Sequence, residues 1–258
     1  MRSQPSKGGA NRPLKTLERV ISKAGLGSRT EARRWIAAGR VRVNGQRIQT
    51  PDYWVDFARD KVSLDDKPIR AGRKISLLLY KPKGYLTTHK DPEGRPTVYS
   101  LISDLGPWVF PVGRLDLDTS GLLILTNDSQ FAERLTNPEH RIPKTYQVKA
   151  STVLTDEQLE NLRRGVTLSD GPTRAAIVTR LRDTAKYTVL EIILTEGRNR
   201  QVRRMLEAIG SKVLKLVRTG IGEVRIGKLP IGTHRPLTEE EIARFGGRGR
   251  MGRCVLAP

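Results

Sequence analysis

The sequence predicts an α+β fold in two modules, and three observations carry the prediction. Over residues 75–245, strand-like segments outnumber helical ones and are parted by short turns bearing Gly or Pro, the pattern of a mixed, mostly antiparallel sheet. Ahead of them, two short helical patterns and an Asn-Gly turn fit within residues 15–74. The charge is also split unevenly: residues 1–74 carry 18 Lys/Arg against 7 Asp/Glu, and the rest carries 29 against 20. The expected organisation is a disordered basic N-terminus over 1–14, a small basic module over 15–74, a sheet domain over 75–245 and a flexible Gly/Arg tail over 246–258.

In the front module, Leu17, Val20, Ile21 and Ala24 fall on one helical face and Gly25 ends the pattern. Ser28 followed by Glu31 is a capping box that opens a second helix, with Ala32, Trp35 and Ile36 on its apolar face. Arg29, Arg33, Arg34 and Arg40 occupy the remainder, and Gly39 closes it. Val41-Arg42-Val43 alternates as a strand into Asn44-Gly45, a strong hairpin signal.

A stretch of low hydrophobicity, Asp65–Lys74, precedes the second module. Ile75–Tyr80 is a buried-strand pattern that runs into the turn Lys81-Pro82-Lys83-Gly84. After the polar loop HKDPEGRP come the strand pattern Val109–Val112, the Asp-rich segment Gly113–Gly121 and the apolar run Leu122–Leu125. Lys144–Ala150 alternates, Glu157–Arg164 is helical and closed by Gly165, and Ala175–Leu181 and Tyr187–Leu194 read as paired strands. Glu196–Arg200 leads into a helix ending at Gly210. Val213–Arg218 and Glu223–Ile226 add strands, and Leu237–Phe245 makes a last helix.

Composition narrows the chemistry. The 258 residues carry a net charge of +20, a self-repulsion usually tolerated for a polyanionic partner. One cysteine, Cys254, excludes an internal disulfide, and three scattered histidines give no metal-site spacing. No apolar run approaches the roughly 18 residues of a membrane span, and no apolar stretch follows the basic N-terminus as in a secretory signal. A soluble, cytoplasmic protein that binds nucleic acid is expected. An anionic membrane surface is the lesser alternative, because no basic helix has a large apolar face.

Two resemblances sharpen this. The segment LERVISKAGLGSRTEARRWIAAGRVRVNGQRI resembles, over roughly 15–75, the small αL-type RNA-binding domain first named from a ribosomal small-subunit protein. That likeness makes Arg29, Arg33, Arg34 and Arg40 candidate phosphate contacts, a role suited to the always-charged guanidinium fork. GRLDLDTSGLLILTND closely resembles the RsuA/RluB-type pseudouridine synthases, which modify ribosomal RNA. KPKGYLTT…DPEGRPTV, KTYQV and EGRNRQVRRM agree with that family in order, so the two likenesses together cover about 15–245.

The second resemblance implies Asp116 as the catalytic aspartate, Tyr146 against the target base and Arg203 as the basic partner of the aspartate. Asp118 is the nearest rival, better placed to cap the turn through Thr119 and Ser120, and the whole Asp-rich loop also reads as a hydrogen-bonded turn into a core strand. Lys81, Arg95, Arg114, Arg198, Arg200 and Arg204 are candidate contacts to RNA. The reaction breaks an N-glycosidic bond, turns the uracil and rejoins it through carbon, with no redox or phosphoryl step, so no cofactor and no metal is expected. A carboxylate serves it as nucleophile at the sugar or as base toward a sugar proton. Either role needs the ionised form, which a neighbouring guanidinium favours. The base must leave the stack, and an aromatic platform offsets part of that cost. The implied partner is ribosomal RNA or an assembly intermediate, with large-subunit RNA slightly favoured and a monomer as the default. A non-catalytic RNA-binding or ribosome-assembly protein is the main alternative.

Overall fold

The computed structural model describes residues 14–246 apart from 57, 71 and 72, so the expected disordered start and Gly/Arg tail fall almost wholly outside the described residues. The described residues divide into two compact units, 14–74 with 106–108, and 75–105 with 109–246.

The first unit packs helices α1 (Leu17–Lys23) and α2 (Arg29–Ala37) on a small sheet of β1 (Val41–Val43), β2 (Gln46–Ile48), β3 (Val62–Leu64) and β4 (Lys67–Pro68). Both halves of the α2 capping box form: Ser28 Oγ accepts from the Glu31 amide at 3.2 Å, and Glu31 accepts from the Ser28 amide at 2.9 Å. Asn44 and Gly45 both take positive φ, 52° and 83°, the twist that a two-residue hairpin requires. The low-hydrophobicity stretch from Asp65, to which no element was assigned, opens with a second hairpin. Asp65 and Asp66 take positive φ between β3 and β4, and pieces this short have no periodicity to read. Leu17, Ile21, Ala32, Ile36 and Val41 form the fully buried centre.

Glu18 is buried on α1 at 1% exposure, and Arg29 and Arg33 of α2 both donate to its carboxylate. Burial alone pushes a carboxyl up. Here the hydrogen bonds from Arg33 and Arg29 prevail and hold Glu18 below its ordinary value.

The second unit is built on one mixed sheet. Its main strands are β5 (Ser76–Lys81), β6 (Ser120–Thr126), β7 (Lys144–Ala150), β8 (Ile177–Asp183), β9 (Thr188–Leu194), β10 (Val213–Ile221) and β11 (His234–Pro236), and they run in the order β8-β9-β7-β10-β6-β5-β11. Neighbours are antiparallel except β10 and β6, which are parallel. Helices α3 (Ser129–Thr136), α4 (Asp156–Arg164), α5 (Gln201–Ala208) and α6 (Glu239–Gly246) complete it. The sequence pattern had not suggested α3, although Asp128 caps it through the Gln130 amide at 3.0 Å.

The two halves of the sheet bury different numbers of faces. In β5 and β6, Leu78, Leu122 and Ile124 pack with Phe131 on one side, while Leu77, Leu79, Leu123 and Leu125 pack with Val98 and Leu115 on the other. Both faces are covered, so these strands are unbroken apolar runs. In β7, Val148 and Ala150 join α4 and α5 in a core on one side, and Gln147 on the other side is exposed. This half therefore alternates. At the parallel junction Gly121 faces Arg218 with φ +121°, and an added Cβ would stand 2.3 Å from the Arg218 carbonyl oxygen, so no other residue fits there.

Glu18→Gln leaves two guanidinium groups facing a neutral amide and should destabilise the first unit by about 1–3 kcal/mol. Hydrogen exchange of the full chain would read this as roughly tenfold or more faster exchange across α1 and α2, with β5 and β6 unchanged. Because the Glu18 value is lowered, its contribution is present at neutral pH and lost on acidification through that value.

Candidate active site

The loop Gly113–Thr119 delivers the chain into β6 and carries both candidate carboxylates. Its turn closes with the Thr119 amide donating to the Asp116 carbonyl at 3.1 Å. Its anchor is Lys81, the last residue of β5, which is 0% exposed. The Lys81 ammonium donates to the carbonyls of Thr119 at 2.8 Å, Asp116 at 3.0 Å and Pro82 at 3.1 Å. All three of its protons are thereby used. Burial pulls its pKa from an ordinary 10.5 to about 8, against the opposing pull of Asp116 and Asp118. Lys81 is therefore not available to hold an RNA backbone, as the sequence suggested. A lysine ending an apolar strand looks like an exposed cation, but here the buried loop carbonyls need a donor.

An open hollow of about 330 Å³ lies beside this loop. Arg114, Asp116, Tyr146, Arg198 and Arg200 line it, with Leu194, Val202 and Leu216 supplying apolar wall. Tyr146 projects from β7 on the side of the sheet that carries α5, where it packs against the core. Asp116 and Asp118 have equally exposed side chains, at 35%, but different company. Arg203 of α5, 8% exposed, reaches the Asp118 carboxylate at 3.0 Å, the Asp118 carbonyl at 3.1 Å and the Thr119 hydroxyl at 3.4 Å. Arg200 lies 3.5 Å from Asp118 and 3.9 Å from Asp116. The expected pairing of Arg203 with Asp116 is thus replaced by one with Asp118, which leaves Asp116 facing the hollow with Arg200 as its nearer cation. Arg200 immediately precedes α5 and Arg203 lies in its first turn, and motif register alone does not decide which of them meets which carboxylate.

The remaining arginines of this cluster brace the site. Arg198 donates to the Gly171 and Pro172 carbonyls at 2.9 and 2.5 Å, and Arg204 donates to Asp170 at 2.5 Å and to Ser169 at 3.0 Å. They clamp the turn at 169–172 onto the start of α5. Arg95 is exposed and bound to Asp91 at 2.8 Å and Glu93 at 3.0 Å. In the first unit Arg29 and Arg33 are held by Glu18, and Arg40 binds Asp65 while standing over the Trp35 ring at 5.8 Å. All three remain about half exposed, and Arg34 is exposed with no acidic partner among the described residues.

Several contributors escaped the sequence reading. Glu196 accepts from Gln201 Nε2 at 2.5 Å, and Gln201 in turn accepts from the Arg198 amide at 3.1 Å, which fixes the loop before α5. Arg218, 5% exposed in β10, donates to the Leu122 carbonyl at 2.8 Å. A lone arginine in the apolar strand Val213–Ile221 was the available signal for it. Among the described residues no group of three His, Cys, Asp or Glu is placed to hold a metal ion, and no helix is long and apolar enough to cross a membrane.

A small helix-and-hairpin unit and a mixed sheet with a carboxylate, an aromatic ring and arginines around one hollow define an RNA-acting class of protein, and comparison with known proteins agrees. The RNA pseudouridylate synthase family model matches residues 75–208, and the S4 domain model matches residues 16–62. An uncharacterized RNA pseudouridine synthase of Aquifex aeolicus is 39% identical over 89% of this chain and 92% of its own length. The ribosomal large subunit pseudouridine synthase B of Bacillus subtilis is 38% identical over 90% of this chain and 96% of its own. A crystal structure of a pseudouridylate synthase superposes with a TM-score of 0.64 at 29% identity, covering 89% of this chain and 99% of that one. The chain belongs to the RNA pseudouridylate synthase family, with an S4 domain preceding the synthase fold, and is an isomerase.

The Lys81 ammonium sets a pH dependence. Between about 8 and 10.5 the unfolded chain holds the extra proton and the folded chain does not, so this group makes stability rise with pH across that window. Relative to Lys81→Met, the wild type should gain on the order of 1–3 kcal/mol from pH 8 to pH 10, read from urea midpoints. Parallel pH curves for the two proteins would contradict the assignment.

Proposed function

We propose that this protein converts a uridine of ribosomal RNA, of the large subunit, to pseudouridine, with Asp116 as the catalytic carboxylate. The observation that carries the reading is the hollow lined jointly by Asp116 and Tyr146. Asp118 is committed to Arg203 and does not line it, whereas Asp116 does. The likeness to the ribosomal large subunit pseudouridine synthase B of Bacillus subtilis supports the choice of RNA.

In this reading the target nucleotide leaves its stack and enters the hollow, where the Tyr146 ring takes the place of a neighbouring base. The Asp116 carboxylate meets the ribose. It attacks the sugar carbon or removes a sugar proton, and either route releases the N-glycosidic bond. The freed uracil turns between Tyr146 and the apolar wall of Leu194, Val202 and Leu216, then rejoins the sugar through carbon. Arg200 and Arg203 present positive charge to the loop that carries the carboxylate, and Arg203 positions it through Asp118 and Thr119. Arg114, with the exposed arginines of the S4 domain, Arg29, Arg33, Arg34 and Arg40, holds RNA backbone.

Asp116→Asn should lower pseudouridine formation by at least about 10³-fold while RNA affinity changes less than about threefold. The assay incubates purified protein with unmodified ribosomal RNA and maps new pseudouridines by chemical adduct and primer-extension stops, with filter binding alongside. Turnover retained in Asp116→Ala would overturn the assignment.

A further inference from the structure

The side of the sheet turned away from Tyr146 carries a second basic hollow, of about 380 Å³. Strand β7 makes the division: Tyr146, Val148 and Ala150 serve the α5 side, while Gln147 and Lys149 line this hollow on the opposite side. The register sets four residues in one row across four strands. Arg182 of β8 pairs with Val189 of β9, Val189 with Lys149 of β7, and Lys149 with Lys215 of β10. At the usual strand spacing the row spans roughly 14 Å.

Two lysines directly opposite on antiparallel strands repel each other and cost stability. Among the described residues no carboxylate pairs with either lysine to relieve the repulsion. No carboxylate lines this hollow, and neither lysine nor Arg182 has an ion pair among the described residues. Glu191, in the adjoining row, stands across from Gln147 and Thr179. The contrast with Arg180 on the same strand is instructive, because that arginine is neutralised by Asp156 and Asp183. An aromatic ring stands beside the row. The Lys149 ammonium sits 3.7 Å from the centroid of the Tyr187 ring, which also lines the hollow and adds a flat surface to it.

We propose that Arg182, Lys149 and Lys215 form a non-catalytic binding site for the sugar–phosphate backbone of ribosomal RNA, on the sheet face opposite the reaction hollow. The inference rests on the reading of the protein as a ribosomal RNA-modifying enzyme. A row of three unneutralised cations matches a repeating line of phosphates, and the Tyr187 ring suits an unstacked base at its end. The two hollows lie on opposite faces of one sheet, so RNA that fills both must pass around the sheet edge. The substrate is then more than a local stem-loop.

The test compares wild type with the K149Q/R182Q/K215Q variant for binding to a full-length transcript of bacterial large-subunit ribosomal RNA, by filter binding from 50 to 200 mM salt. About tenfold weaker binding at the upper salt range is expected. The slope of log affinity against log salt should become shallower by about two to three. Pseudouridine formation on the same transcript should show a raised KM with kcat within about twofold. Unchanged affinity and unchanged salt slope would overturn the proposal. So would unchanged binding to bare RNA with lost binding to intact ribosomal precursor particles, which would assign the face to a protein. Lys149→Glu controls for folding: it sets a carboxylate opposite Lys215, so it should melt no lower than wild type and still bind the transcript less tightly than Lys149→Gln. The binding comparison stands even where wild type makes no pseudouridine, a result that would count against the proposed function alone.

Discussion

The loop that carries Asp116 in the synthase domain is held by one buried ammonium. Lys81 spends all its protons on the carbonyls of Pro82, Asp116 and Thr119, and so stitches the end of β5 to the loop before β6. A neutral side chain of the same length would leave loop carbonyls unsatisfied, and an arginine could not point all its donors at one spot. The cost is an ionisable group pulled down to about 8 by burial. What it achieves is a fixed backbone at the residue whose carboxylate faces the hollow. Gly121 acts with it just past the loop, at the start of β6. The close approach to Arg218 admits no side chain, and it sets the parallel register that brings β10 and its Leu216 beside the site.

Much of the fold was legible because burial writes itself into hydropathy. Strands β5 and β6 are covered on both faces and read as apolar runs, while β7 is covered on one and alternates. The Ser28 cap and the Asn44-Gly45 turn are local chemistry and stand where the sequence put them. What escaped was either too short or weakly patterned. Two-residue strands such as Lys67–Pro68 have no period, and Ser129–Thr136 offers only three buried apolar residues, Phe131, Ala132 and Leu135, over two turns.

The site was legible at the level of motifs, less so at the level of partners. Asp116 and Tyr146 are distant in sequence, and only resemblance joined them before the fold placed both on one hollow. Composition could not separate an exposed cation from a buried one, so Lys81 looked like a phosphate contact. Nor could motif register separate Arg200, just ahead of α5, from Arg203 in its first turn, since both reach the loop's carboxylates. Glu196, Gln201 and Arg218 were missed for a related reason: they act on backbone and on other side chains, and such roles leave no signature in spacing.

Strand β7 carries a further consequence. Its alternate residues serve two unrelated surfaces, Tyr146 on one and Lys149 on the other. Substitution can change either surface by itself, but inserting or deleting a single residue inverts both together. Over evolutionary time this strand should therefore drift in composition while its length stays frozen, with length variation pushed into the turns at its ends.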